Sequence, residues 1–188
     1  MEIFMIITAY FIGSLSLGQM LANRRNIEIN TIGTNNPGAF NIYHEISHFW
    51  GYVSGAFDIF KGTFPVFFGK VILNIEFPYL AMITLAAVIG HLWPIYFKFQ
   101  GGRGLATSLG TLIVWDFYLT LFVLIIAGVV VFWFRYLSNI KPRVSLIMLP
   151  LFILSSYFIK ENMEFALIGI YMTIIIYIKA GEFSYRIG

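Results

Sequence analysis

Residues 105–137 read LATSLGTLIVWDFYLTLFVLIIAGVVVFWFRYL. At a rise of about 1.5 Å per residue, this apolar run is too long for one crossing of a hydrocarbon core about 30 Å thick. A single acid, Asp116, interrupts it, and a carboxylate on lipid at mid-membrane is costly. Splitting the run there predicts a short helix over 105–115, leaning on its neighbours, and a full-length helix over 117–137. Five further apolar stretches lie at about 3–22, 49–72, 77–97, 144–159 and 163–179. Together they predict an all-α polytopic membrane bundle of about seven transmembrane helices, in one domain covering 1–188.

Composition points the same way. The chain is 59% hydrophobic and 11% charged, with a mean hydropathy of +0.83. Soluble domains carry about 25% charged residues, so a water-soluble globule is excluded, and so little polar sequence excludes a disordered chain. There is no cysteine, which removes disulfides, thiolate metal sites and cysteine nucleophiles. The first run begins with Glu2 instead of a basic region and lacks a small-residue cleavage site, so it is expected to be a span and not a leader.

Charge then sets sidedness. Arg24 and Arg25 follow the first run and place that side in the cytoplasm. Alternation puts Arg24, Arg25, Lys98, Arg103, Arg135, Lys141, Arg143, Lys179 and Arg186 inside, nine of the twelve Lys and Arg residues. The expected topology is N-terminus outside and C-terminus inside. The pI near 9.1 therefore reports loop sidedness, and no nucleic-acid partner is expected.

Two cytoplasmic segments stand out. Thr31 to His44, TIGTNNPGAFNIYH, combines turn residues with hydrogen-bonding side chains at the membrane surface; for any one residue a plain surface loop is an equal reading. Gly90 to Ser108, GHLWPIYFKFQGGRGLATS, ends with Gly101-Gly102-Arg103-Gly104 immediately before a helix. Free backbone N–H groups, close approach and a fixed cation suit a phosphate at a helix N-terminus, and Thr107 and Ser108 add hydroxyls in the first turn. A tight interfacial turn would use the same glycines. The spacing is not that of a nucleotide-binding loop, so the anion is expected to be a small phosphate ester, and no cofactor is called for.

Asp58 and Lys61 sit three apart within the second span, on one helix face. They either pair to lock helices together or contact substrate. Gly51 and Gly55 on the same helix permit close packing. His91 reads as a helix-terminal hydrogen-bonder or as a base. His44 and His48 beside Glu45 lack metal-ligand spacing, so no metal site is expected. Ser145 either caps the sixth span or touches ligand.

Taken together, these segments resemble the PlsY family, membrane glycerol-3-phosphate acyltransferases that use acyl phosphate as donor. The family's Gly-Ser-Gly-Asn-x-Gly-Ala-Thr-Asn-x-x-Arg stands here as Gly33-Thr34-Asn35-Asn36-Pro37-Gly38-Ala39-Phe40-Asn41-Ile42-Tyr43-His44. Its Asp-x-x-Lys-Gly is Asp58 to Gly62, and its Gly-His-x-Phe-Pro-x-Phe-x-x-Phe-x-Gly-Gly-Lys-Gly-Val-Ala-Thr is Gly90 to Thr107, with Arg103 for lysine. A serine opening a late span is similar at Ser145. The C-terminal motif is eroded: anchored on Gly181, it places Tyr171, Ile174 and Tyr177 where His, Asn and Arg stand in the family.

The resemblance implies acyl transfer to the 1-hydroxyl of glycerol 3-phosphate, or of a related phosphorylated alcohol, at the cytoplasmic face of the cell's inner membrane. The products would be lysophosphatidic acid and inorganic phosphate. It implies Thr34, Asn36, Asn41, His44, His91 and Arg103 as the catalytic set. Gly33, Gly38, Asp58, Lys61, Gly101, Gly102, Gly104, Thr107, Ser108 and Ser145 would bind substrate. His44 in place of arginine would hold phosphate only when protonated, so activity is expected to fall as the imidazole deprotonates. Competing readings are a non-catalytic lipid-binding paralogue and a small transporter, although the polar residues gather at the inner surface and not at the midplane.

Overall fold

The computed structural model describes residues 1–138 and 163–185; the predicted sixth span, 144–159, and Ser145 lie outside them. The described residues form helices and no strand. In order these are α1 (Glu2–Gly13), α2 (Leu17–Arg24), α3 (Ala39–Glu45), α4 (His48–Phe67), α5 (Tyr79–Leu92), α6 (Leu105–Trp115), α7 (Phe117–Ser138) and α8 (Met163–Tyr185). A π turn (Phe68–Ile72) extends α4, and a short 3-10 turn (Ile95–Phe97) follows α5.

Apolar side chains point outward as well as inward. Phe4, Ile7, Phe60, Phe64, Ile125 and Phe132 are exposed, a skin suited to acyl chains and untenable in water. The stretches Glu2–Arg24 and Tyr79–Phe97 are long and apolar enough to cross a membrane. Inside, two apolar clusters run along the bundle. Met5, Ala9, Val66, Ile83 and Ala87 join α1, α4 and α5, while Val88, Leu92, Leu112, Val123, Ile168 and Met172 join α5 to α8.

Helices that cannot separate from lipid by hydrophobicity associate through small residues. A side chain at Gly13 would collide with the carbonyl of Ala87, and one at Gly90 with the carbonyl of Tyr10, so α1 and α5 meet backbone to backbone. Gly62 lies equally close to the Thr107 carbonyl and Gly110 to that of Ile59, which locks α4 to α6. Thr63 Oγ1 donates to Gly110 O across the same crossing at 3.0 Å.

The split at Asp116 is present. Asp116 is extended (φ −153°), and its Oδ1 accepts from Leu119 N at 2.9 Å, capping α7. At the same end, Lys70 Nζ donates to the carbonyls of Val114 (2.9 Å) and Trp115 (3.1 Å), closing the last turn of the short α6.

Three elements differ from the sequence expectation. The first span breaks at Ser14–Ser16: Ser14 Oγ donates back to Tyr10 O at 2.8 Å, a bond that competes with the helix. Ser16 then turns extended and caps α2, its side chain accepting from Gln19 N at 3.4 Å. The third span stops at Leu92, ahead of Pro94, and does not reach 97 as one helix. The turn-rich segment 31–44 forms a short helix from Ala39, which starts at Gly38 once Pro37 has passed.

Candidate active site

The centre of the site is a buried charge cluster. Asp58 and Lys61, 4% and 1% exposed, share a face of α4, and Lys61 Nζ lies 2.9 Å from Asp58 Oδ1. The ammonium also donates to the Leu15 carbonyl at 2.6 Å, an acceptor freed by the break between α1 and α2. His91 closes the group with Nδ1 3.5 Å from the same Oδ1, near enough to feel the charge but without hydrogen-bond geometry. Removing one partner of such a pair costs about 3–5 kcal/mol, because the other charge stays buried. Asp58 and Lys61 are thus partnered within the protein.

The glycine loop folds over His91. Gly102 N donates to His91 O at 3.2 Å. A side chain at Gly102 would strike His91 Nε2, and one at Gly101 would strike the carbonyls of His91 and Leu92. Gly104 caps α6 at φ +84°, where other residues are strained. Arg103 between them is exposed. One turn into α6, Thr107 and Ser108 are buried, and neither hydroxyl has a partner. Two bonds from the other side brace the loop: Tyr10 donates to Trp93 O at 2.9 Å and Gln19 Nε2 to Gln100 O at 2.5 Å.

The Thr31–His44 segment comes to the same end. A side chain at Gly18 would meet Pro37 O and Ile42, and one at Gly55 would meet Ala39, so this segment packs between α2 and α4. Asn41 is buried and engaged in its own loop. Its Oδ1 accepts from Thr34 N (2.8 Å), and its Nδ2 donates to Ile29 O (3.2 Å) and Ile32 O (3.0 Å). Gly33, at φ +57°, lies against that same Oδ1. Asn41 therefore shapes the loop, with its whole amide in use. His44 lies on the exposed side of α3, 4.5 Å from the Phe40 ring and 5.0 Å from that of Tyr43. The structure does not bring it to the charge cluster.

Among the described residues, seven buried side-chain atoms have no hydrogen-bond partner: Gln19 Oε1, Thr34 Oγ1, Asn36 Oδ1, Ser54 Oγ, His91 Nδ1, Thr107 Oγ1 and Ser108 Oγ. Folded proteins leave few such atoms unpaired. All seven lie on the segments joined here: α2, the Thr34–Asn41 loop, the inner part of α4, the end of α5 and the start of α6.

Sequence reasoning missed Gln19, Ser54 and Lys179. Ser54 stands four residues before Asp58, on the same helix face, and that spacing was available as a signal. Lys179 reads as a flanking cation but is 2% exposed, with its Nζ 5.0 Å from the centroid of Trp93. Tyr171, Ile174 and Tyr177, by contrast, are exposed. The inward face of α8 is instead Ile168, Met172, Ile176 and Lys179, so anchoring the eroded motif on Gly181 places its polar positions on the outward face.

A family model described as glycerol-3-phosphate acyltransferase matches residues 3–186. A glycerol-3-phosphate acyltransferase of Endomicrobium trichonymphae is 34% identical over 176 residues, 93% of this chain and 86% of that protein. One of Colwellia psychrerythraea is 37% identical over 157 residues, 83% and 78% of the two chains. Among solved structures, PlsY, an integral membrane glycerol 3-phosphate acyltransferase, superposes in its glycerol 3-phosphate form with a TM-score of 0.84. The two are 25% identical, and the match covers 99% of this chain and 91% of that one.

Proposed function

This chain belongs to the glycerol-3-phosphate acyltransferase family, and from that membership we propose that it moves a fatty acyl group from acyl phosphate to the 1-hydroxyl of glycerol 3-phosphate. The hydroxyl oxygen bonds to the acyl carbon, and the carbon–oxygen bond to phosphate breaks. The electron pair leaves with phosphate, which takes up the hydroxyl proton. Lysophosphatidic acid and inorganic phosphate are released.

The observation that carries this reading is the set of unpaired buried polar atoms around the glycine loop. Acyl phosphate already has a good leaving group, so holding the reactants together is the main task, worth up to ~7–11 kcal/mol in the best cases. The N–H groups of Gly101–Gly104, the Arg103 guanidinium and the hydroxyls of Thr107 and Ser108 would hold phosphate and its developing charge. Thr34 and Asn36 would orient the acceptor. Asp58 and Lys61 would hold α4 against the break between α1 and α2 through the Leu15 carbonyl, beside His91. Asn41 would act through loop shape. His44, on the open side of α3, would meet only an anion arriving from the water.

The chain is one integral membrane domain in this reading, in the cell's inner membrane, with the N-terminus outside, the C-terminus inside and the site facing the cytoplasm. The supporting feature is that Arg24, Arg25, Lys98 and Arg103 lie on the segments around the site. The test is purified protein with palmitoyl phosphate and labelled glycerol 3-phosphate. Labelled lysophosphatidic acid is expected, and Arg103→Ala should lower turnover by about 10²-fold, the order for losing one charge-stabilising donor. A wild-type protein that forms no product would refute the reading.

A further inference from the structure

We propose that Gln19 reads the acyl acceptor: its Oε1 accepts a hydrogen bond from the 2-hydroxyl of the glycerol phosphate. This rests on the reaction proposed above and adds the group that recognises the carbon skeleton bearing the phosphate.

The orientation of the amide is fixed by chemistry. Gln19 is 3% exposed, and the group 2.5 Å from it is the carbonyl of Gln100. A carbonyl only accepts, so the amide nitrogen must face Gln100 and Oε1 must face the other way. That oxygen is buried and has no donor, an unfavourable state until one arrives.

Its surroundings place it at the site. Gln100 directly precedes Gly101–Gly104, so the amide that presents Oε1 also braces the proposed phosphate loop. On the neighbouring side Gly18 packs against Pro37, next to Asn36, whose Oδ1 is likewise buried without a donor. The break at Ser14–Ser16 sets the position of Gln19 on α2: Ser16 caps its backbone N–H, and Lys61 grips the Leu15 carbonyl.

An acceptor-only oxygen repels phosphate and attracts a hydroxyl. It is also no base, because an amide does not take a proton near neutral pH. The partner that suits it keeps its proton throughout the reaction. The attacking 1-hydroxyl loses its proton; the 2-hydroxyl carries its own unchanged into the product.

The test compares glycerol 3-phosphate with propane-1,3-diol monophosphate, which lacks only the 2-hydroxyl, using palmitoyl phosphate as donor. Wild type should favour glycerol 3-phosphate in kcat/KM by about 10-fold or more, the order for leaving a buried acceptor unpaired. Gln19→Met should bring the ratio towards one by losing activity on glycerol 3-phosphate, and Gln19→Asn should fall between. The lost bond to Gln100 affects both substrates alike and cancels in the ratio. Equal use of both substrates by wild type would overturn the proposal, and so would a Gln19→Met loss of the same factor on each. If Gln19→Met does not fold, the wild-type ratio and Gln19→Asn decide. If wild type transfers no acyl group at all, the reaction reading fails separately. The dissociation constants of the two phosphates for wild type and Gln19→Asn then decide on Gln19 by the same difference.

Discussion

Asn41 has both ends of its amide committed within one loop, with an N–H of Thr34 on the oxygen and the carbonyls of Ile29 and Ile32 on the nitrogen. Asn41→Asp is nearly isosteric but turns two donations into oxygen facing oxygen. Each backbone carbonyl left unpaired costs about 1–3 kcal/mol, and carboxylate repulsion adds to it. The variant should melt at a lower temperature in detergent and be cut by protease within residues 29–36, while wild type resists. An unchanged melting point with lost turnover would return Asn41 to direct substrate contact. The sequence showed an asparagine at a motif position but not which way its amide faces, because its partners are three backbone groups set by loop geometry. Asp58 and Lys61 were more legible: their spacing of three puts both on one face of an apolar helix, where pairing was one of the two readings. Lys179 was not, since its position at the end of an apolar run reads as a flank, and only the rotation of α8 turns it inward.

Hydropathy located most helices because lipid imposes length and apolarity on each span. It missed the break between α1 and α2, where Leu15 and Leu17 keep the run apolar around the serines. That break is set by the two serines and by Lys61, which needs a carbonyl from elsewhere in the chain. It also missed which glycines matter. Gly62 lies against the Thr107 carbonyl, whereas a side chain at Gly128, on the exposed side of α7, meets nothing within 4 Å. Gly62→Ala should therefore push α4 from α6 and cost about 1–3 kcal/mol, the range for overpacking. Gly128→Ala should leave stability unchanged or raise it by up to about 1 kcal/mol through helix propensity. Thermal unfolding of both variants in one detergent checks the contrast, and equal effects would mean that α4 and α6 do not meet at this crossing. The same displacement would shift Thr107, so Gly62→Ala should also weaken turnover.

At the scale of the whole molecule, the helices carry two kinds of end. One end holds the loop after α2, α3 and the glycine loop, joined through the bond of Gln19 to Gln100 and the approach of Asn30 to Gln100. The other holds the turn after the π segment and the Asp116 cap, joined through Lys70. Among the described residues, the unpaired buried polar atoms belong to segments that meet at the first end, so in the proposed reaction water-soluble substrates would enter there while acyl chains lie along the apolar skin. In the proposed topology that end would face the cytoplasm, because Arg24, Arg25, Lys98 and Arg103 gather around it and basic loops favour that side. The absence of cysteine permits a direct check, since an introduced thiol is the one reactive to maleimide in this chain. Glu28 and Glu76 are both exposed, one in each end's loops. In intact spheroplasts a membrane-impermeant maleimide should label Glu76→Cys at once and reach Glu28→Cys only after permeabilisation. The reverse pattern would invert the bundle and place the phosphate cradle on the side opposite to the cell's phosphorylated metabolites, and the proposed reaction would then lose its supply of acceptor.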